Sequence, residues 1–426
     1  MNVFHVGPPL ARLGGPAGYL RELEGAARVA ESPEHRVRFP SPRASSPVRH
    51  PGALARMRQT LGRFKRRFAG TPAFYRPPVA ALRSADGLLA GNMRVARREV
   101  VAEAGPSLEA ALPWAETLFT HDPFCAEAAL ERRRPGQRVW MMGHAPMPMA
   151  LYLAWNWGMP EWDWREFLTL PDVRRWIDWE LEVWQRVDLV VLPCREAGLE
   201  LARVDARFDG VVRGARHLLT GGSGPAEARP GLSRDSLRRI FRLPADRRVG
   251  LFLGSAQPYR GLDALLCALP LLPEAAACPG VIAVAGPEPG TLPADKRLRA
   301  LGRVQDVAGL LRAVDFVVNV NRLSLFDLSL IEAAQAGKPM LLHAVGGNRT
   351  FQMLQAGCAM LQDLEPATVA AGLTAMFTTP APELDELGRA SRACWEHGLT
   401  PAAMWRRHLA LYGELAGAWA CGAVSR

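Results

Sequence analysis

Glu332 closes the stretch Asp315-Phe-Val-Val-Asn-Val-Asn-Arg-Leu-Ser-Leu-Phe-Asp-Leu-Ser-Leu-Ile-Glu332, where an apolar run passes through a polar loop into a second apolar pattern. A carboxylate at that point accepts from two neighbouring hydroxyls at once. Arg260 stands in a similar setting, after Val249-Gly-Leu-Phe-Leu-Gly254-Ser255 and directly before Gly261. A guanidinium there grips two anionic oxygens through parallel bonds. Two histidines end apolar runs in the N-terminal half: His121 after Ala115-Glu-Thr-Leu-Phe-Thr, and His144 after Arg138-Val-Trp-Met-Met-Gly. A neutral imidazole accepts from a ligand hydroxyl without titrating far from physiological pH. The plainer role for either ring is to cap a strand, and for Glu332 it is a solvated place on an amphipathic helix.

Such groups work only if rigid elements hold them. Val3–Val6, Asp188–Pro193, Val249–Ser255, Val281–Ala285, Phe316–Val320 and Met340–His343 read as buried strands, and helical patterns alternate with them, which argues for parallel sheets. Ligands of open α/β sheets bind at the C-terminal strand edge, beside helix N-termini that accept phosphate. A glycine-rich loop, Gly7 to Gly18 and including Gly14 and Gly15, joins the first strand to a helix and lets backbone amides approach a ligand; a merely tight turn is the alternative. Composition puts a linker at 221–234. The expected domains are 1–220 and 235–400, with a final helix over 401–426 returning to the first domain.

From about residue 233 to 364 the order and spacing of these features resemble the donor-nucleotide half of retaining GT-B glycosyltransferases of the family 4, or group 1, type. The resemblance implies an α/β fold of two facing doubly wound Rossmann-like domains. It gives Glu332 the ribose hydroxyls and places Arg260 where the family has a diphosphate-binding lysine, flanked by Gly254 and Gly261. Ser255 stands at the family's arginine, and Ser324, eight places before Glu332, stands at its first acid. Val304, in Gly302-Arg-Val-Gln-Asp, falls in the base-binding loop, and Gly346 and Gly347 form the glycine turn of the pocket. His144 would face the transferred sugar, with Gly14 and Gly15 across a cleft, and His121 competes for that role. The implied reaction moves a sugar from a nucleoside diphosphate carrier to a hydroxyl of a glycan, lipid or small molecule, with retention and without a protein nucleophile. A catalytically decayed scaffold serving as a binding subunit is the alternative. An epimerase on the same fold is weaker, because the glutamates expected after the glycine turn are absent from Val345-Gly-Gly-Asn-Arg-Thr350.

Other chemistries find no support. There is no G-x-G-x-x-G, P-loop, H-E-x-x-H or G-x-S-x-G, and no D-x-D of the metal-dependent glycosyltransferases. No metal and no cofactor beyond the sugar nucleotide as co-substrate is expected. The seven cysteines are scattered and read as small core residues. At 426 residues and 49% hydrophobic the chain can bury about two cores, and its apolar runs fall far short of the roughly 20 residues that span a bilayer. With no h-region behind Met1, a cytoplasmic protein is expected.

The net charge of +10 belongs to one segment. Thirteen of the 52 basic residues lie between Arg43 and Arg98 against one acid, Asp86, which leaves the rest of the chain near neutral. Leu54, Met57, Leu61, Phe64 and Phe68 recur there at helical spacing among arginines and a lysine, the pattern of a helix on an anionic membrane or of one packed on the first domain. Nucleic acid is a distant third, since no recognition module accompanies the charge. The tryptophans between Trp155 and Trp184 suggest a carbohydrate-stacking surface or, more simply, core.

Overall fold

A computed structural model describes residues 1–7, 15–30, 32, 34–40, 79–157, 164–222, 229–273 and 280–420. Contacts divide the chain into unit 1 (Met1–Pro193, Leu201–Leu218 and Trp405–Arg426) and unit 2 (Cys194–Glu200 and Leu219–Met404). The division therefore falls at 218/219 rather than after 220, and a short piece before Leu201 joins the second unit. Every strand pairing among the described residues is parallel.

Unit 1 alternates β1 (Asn2–Val6), α1 (Gly15–Val29), β2 (Arg36–Arg38), α2 (Val79–Ala111), β3 (Thr117–Thr120), α3 (Pro123–Arg132), β4 (Arg138–Met142), α4 (Met149–Trp157), α5 (Pro171–Arg186), β5 (Leu189–Leu192), α6 (Arg195–Val204) and β6 (Arg216–His217). Its sheet runs β2-β1-β3-β4-β5-β6, so the strand order reverses between β1 and β3. The central strands are buried on both faces, as helix-covered parallel strands must be; Val3, Leu118, Phe119, Val139 and Trp140 are fully enclosed. Asp122 caps α3 by accepting from the Cys125 amide at 2.8 Å, and Pro123 occupies the first helical position.

Unit 2 repeats the plan with α7 (Arg234–Ile240), β7 (Arg248–Leu253), α8 (Leu262–Ala268), β8 (Gly280–Ala285), β9 (Leu298–Gly302), α9 (Val307–Ala313), β10 (Phe316–Asn319), α10 (Leu328–Gln335), β11 (Met340–His343), α11 (Gly346–Met353), β12 (Cys358–Leu361), α12 (Pro366–Thr378) and α13 (Ala381–Cys394). The last helix, α14 (Pro401–Ala420), begins in unit 2 and gives its residues from Trp405 onward to unit 1. The second sheet runs β12-β11-β10-β7-β8-β9, and its order reverses between β7 and β10. One device recurs in both sheets. Asp188, just before β5, accepts from the Val139 amide of β4 at 2.8 Å, and Asp315, just before β10, accepts from the Val249 amide of β7 at 2.7 Å.

Several elements depart from the sequence reading. Strands β2 (Arg-Val-Arg) and β6 (Arg-His) carry too few apolar residues to read as strands; β9 (Leu-Arg-Ala-Leu-Gly) and β12 (Cys-Ala-Met-Leu) are the short edge strands of the second sheet. Helix α2 was also hidden, because Gly87, Gly91, Gly105 and Pro106 are poor helix formers; packing of Leu89, Ala90, Met93, Ala104 and Leu108 holds it. Trp155, Trp164 and Trp184 are buried core residues. Cys125, Cys194 and Cys394 are buried as expected, whereas Cys267 is exposed. The stretch Leu54–Phe68 and Gly14 lie outside the described residues, as does part of the expected linker, 223–228. No helix among the described residues is long and apolar enough to cross a membrane.

Candidate functional site

In an open α/β sheet the loops leaving two strands diverge where the order reverses, and the crevice so formed accepts ligands. In unit 2 that point lies between β7 and β10. The loop after β7 carries Gly254, an exposed Ser255 whose hydroxyl donates to Gln257 Oε1 at 3.1 Å, and Arg260. The loop after β10 carries Asn321, Arg322, Ser324 and Asp327. The two loops are tied by backbone, Arg322 N donating to Tyr259 O at 2.7 Å, and by an Arg322–Asp263 ion pair. Gly261 makes the tie possible: it adopts φ +68°, and a Cβ there would stand 1.9 Å from Val320 O.

Arg260 is already engaged. Its Nη1 donates to Asp327 Oδ2 at 2.6 Å, and the same oxygen accepts from Asn321 Nδ2 at 2.6 Å and Asn319 Nδ2 at 3.0 Å. Asp327 is the residue immediately before α10, the helix of Glu332. Five residues at 1.5 Å rise put Glu332 about 7.5 Å further along the axis, on the half-buried part of the helix. Asp327 thus ties the Arg260 loop to the start of the helix that carries Glu332. Sequence reasoning missed Asp327; the available clue was an acid in the N-cap place ahead of the periodic Leu328, Ile331 pattern.

Ser324 is buried, and its hydroxyl donates to Asn348 Oδ1 at 2.9 Å. Asn348 in turn donates to His343 O at 2.9 Å and Asn319 Oδ1 at 3.2 Å, so a neutral amide network fills the place where the family has an acid. Gly346 and Gly347 open α11 directly against that loop. A Cβ on Gly347 would meet Leu325 O at 1.7 Å, and Gly347 N donates to Ser324 O at 3.0 Å. These glycines are thus required by the approach of the 324–326 backbone. Val304 is half-buried and packs on the unit 2 core.

In unit 1 the reversal lies between β1 and β3, and three histidines gather there. His5 is on β1, His121 follows β3, and His144 follows the neighbouring β4. His144 Nε2 lies 2.9 Å from His121 Nδ1, His121 Nε2 lies 3.0 Å from His5 Nδ1, and His5 Nε2 lies 3.0 Å from the Tyr412 hydroxyl of α14. A second pair, Tyr19 Oη and His408 Nε2 at 2.7 Å, packs beside them, and the Tyr19 ring stands edge-on to His144 at 5.0 Å. His5, His121 and Tyr412 are fully buried, while His144 is partly exposed. Burial drives His144 down to about 3 and holds His121 and His5 well below the usual imidazole range, with repulsion from His144, His5 and His408 adding to it at His121 and from His408 at His5. His121, the competing candidate, therefore stands behind His144 in a line of contacts. Gly15 is the first residue of α1.

Residues 247–378, which contain every unit 2 site residue named above, match the family described as glycosyl transferases group 1. Over nearly its whole length the chain also superposes on GT-B structures. That stretch of unit 2 is similar to the group 1 glycosyl transferases, and the whole chain has the GT-B fold. Sucrose-phosphate synthase from Thermosynechococcus elongatus aligns with TM-score 0.62 at 15% identity, covering 98% of this chain and 100% of that one. Anabaena HepE, crystallised with UDP-glucose, gives 0.58 at 14% identity over 97% of this chain and 100% of that one. At such identity these two establish the GT-B fold. Among curated relatives, D-inositol 3-phosphate glycosyltransferase 1 of Catenulispora acidiphila is 33% identical over 172 residues, 36% of this chain and 41% of that protein. The enzyme of Mycolicibacterium smegmatis bearing the same activity name is 33% identical over 130 residues, 28% of this chain and 30% of that one. The chain thus spans less than half the length of these curated relatives.

Proposed function

We propose that this protein transfers a sugar from a nucleoside diphosphate-sugar to a hydroxyl of a glycan, lipid or small molecule, with retention of configuration. The observation that supports the reading is the Arg260–Asp327 pair at the β7/β10 switch point, at the start of the helix of Glu332 and inside the family-matched stretch. In this reading Glu332 accepts from both ribose hydroxyls and Val304 borders the base. Arg260 leaves Asp327 to hold the diphosphate, with Gly254, Ser255 and Gly261 giving its oxygens backbone access. Ser324, Gly346 and Gly347 shape the sugar end, and within unit 1 His144, with Gly14 and Gly15, offers a contact for substrate oxygens. The carbon–oxygen bond to the diphosphate breaks, the acceptor oxygen bonds the same face of that carbon, and the acceptor's proton passes to the departing diphosphate. No resident cofactor or metal takes part, so EDTA leaves the rate unchanged.

Calorimetry with UDP, GDP and ADP and with their glucose or mannose conjugates tests the donor side. Submicromolar to high-micromolar binding of one base, abolished in Arg260→Ala and Glu332→Ala, supports the reading; absence of binding by all of them refutes it. A second reading has one observation in its favour, the neutral Ser324–Asn348 pair in place of an acid: a protein that binds the donor without transferring it. Release of free nucleoside diphosphate, measured by mass spectrometry with a mixture of acceptors, separates the two. The proposal keeps the protein in the cytoplasm, and the basic amphipathic pattern of Leu54–Phe68 adds an anionic membrane surface as a further contact, tested by flotation with phosphatidylglycerol liposomes.

A further inference from the structure

The line of contacts behind His144 has a direction. A neutral imidazole carries one N–H and one bare nitrogen, and each of the three links needs one hydrogen between its two heavy atoms. Full burial of His5 and His121 keeps those rings neutral, because a charged imidazole loses its hydration there. Two arrangements then satisfy all the links. In one, every hydrogen points away from Tyr412: its hydroxyl donates to His5 Nε2, His5 Nδ1 donates to His121 Nε2, and His121 Nδ1 donates to His144 Nε2, leaving the hydrogen of His144 on Nδ1. In the other, all are reversed, His144 carries its hydrogen on Nε2, and Tyr412 accepts from His5.

Tyr412 decides between them. It is fully enclosed, and His5 is the hydrogen-bond partner of its hydroxyl among the described residues. The reversed arrangement fills that oxygen with the His5 hydrogen and strands the buried O–H, a donor whose lost hydration biases the choice by roughly tenfold or more. We propose that Tyr412, acting through His5 and His121, fixes His144 as the Nδ1–H tautomer, so that His144 offers a bound substrate a hydrogen-bond donor. This inverts the sequence expectation that His144 accepts from a sugar hydroxyl. The group it suits is an oxygen with a free lone pair, on a hydroxyl or a phosphate; that identity rests on the transferase reading, while the tautomer does not. Tyr412, His5 and His121 are positioning residues, supplied by the C-terminal helix, strand β1 and the loop after β3 of the same unit.

Long-range proton–nitrogen correlation spectra of protein labelled with ¹⁵N-histidine report each ring's tautomer, and His144 is assigned by its loss in His144→Gln. The expected spectrum has His144 Nδ1 in the protonated and Nε2 in the bare-nitrogen region; the reverse pattern in the wild type overturns the proposal without any further variant. In Tyr412→Phe no hydroxyl hydrogen needs an acceptor, and the ratio of Nε2–H to Nδ1–H His144 rises about tenfold; an unmoved tautomer also overturns it. These spectra need no nucleotide, so they judge the relay whatever becomes of the transferase reading. In a transfer assay, Tyr412→Phe halves the Nδ1–H population and lowers kcat/KM about twofold in the wild type, and it adds nothing in a His144→Ala background. An equal loss in both backgrounds marks Tyr412 as merely structural and sinks the proposal.

Discussion

Replacing Asp327 by asparagine separates the stability of unit 2 from its hold on a ligand. In the wild type one carboxylate oxygen receives Arg260, Asn321 and Asn319 at 2.6–3.0 Å, and the ion pair is largely enclosed, with side-chain exposures of 21% for Arg260 and 12% for Asp327. Asparagine keeps the shape and removes the charge, leaving the guanidinium without its counter-ion. Hydrogen bonds to charged groups contribute about 1.5–3 kcal/mol, and breaking fully buried pairs costs about 3–5 kcal/mol, so this partly open pair should cost about 2–3 kcal/mol. For a domain of this size that is a fall in Tm of roughly 5–10 °C. Binding should move the other way. An anion about 7 Å from Asp327 is repelled by about 2 kcal/mol at an effective dielectric of about 20, and Arg260 no longer has to leave a partner. A nucleoside diphosphate should therefore bind about tenfold more tightly, which is about 1.4 kcal/mol. Urea titration measures the first quantity and titration calorimetry the second. A variant that loses stability and also loses affinity would refute the view that Asp327 masks Arg260, and would make it the residue that aims the guanidinium.

Three further outcomes follow from the same geometry. Arg238 is buried beneath Asp315 and donates to four backbone carbonyls, of Ala313, Pro244, Ala245 and Arg247, so Arg238→Met should lower the stability of unit 2 by about 3–5 kcal/mol in urea while leaving unit 1 fluorescence transitions in place. Gly347→Ala should be severely destabilising because its Cβ collides with Leu325 O, whereas Gly254→Ala, whose nearest neighbour is Arg260 Cδ at 3.7 Å, should stay within about 0.5 kcal/mol and weaken diphosphate binding alone. Burial raises Glu180 to about 7, although it accepts from the Met149 and Ala150 amides at the start of α4. A carboxyl with a raised folded pKa favours folding when protonated, so this group's contribution is present below the unfolded carboxyl range and is lost as pH rises toward 7. The buried His5 and His121 act oppositely, being depressed: their contribution is present above about 6.5 and is lost as pH falls below it. Comparing urea midpoints at pH 5 and 7.5, Glu180→Gln should lose the wild-type gain at low pH and keep the histidine loss; an unchanged pH difference would contradict this assignment.

The residue order alone determined most of the frame. Buried parallel strands such as Val-Ile-Ala-Val-Ala and Phe-Val-Val-Asn are β-branched runs that need no partner to be recognised, and the loops that follow them mark the ligand edge. The charges at 260 and 332 were legible for the same reason, as each is pinned to the end of a strand or the face of a short helix. What tertiary structure decided is which loops meet. Strand order in a parallel sheet is set by crossovers that local pattern does not encode, so nothing near Arg260 announced that β7 would lie beside β10 and hand its guanidinium to Asp327. The histidine relay shows the limit most clearly. Its first link joins Tyr412 to His5, 407 residues apart in sequence, and a hydrogen bond between them leaves no periodic trace in either segment. His144 could be named from the strand it follows, but the proton it presents is set by a buried tyrosine on the last helix, and only packing brings that tyrosine there.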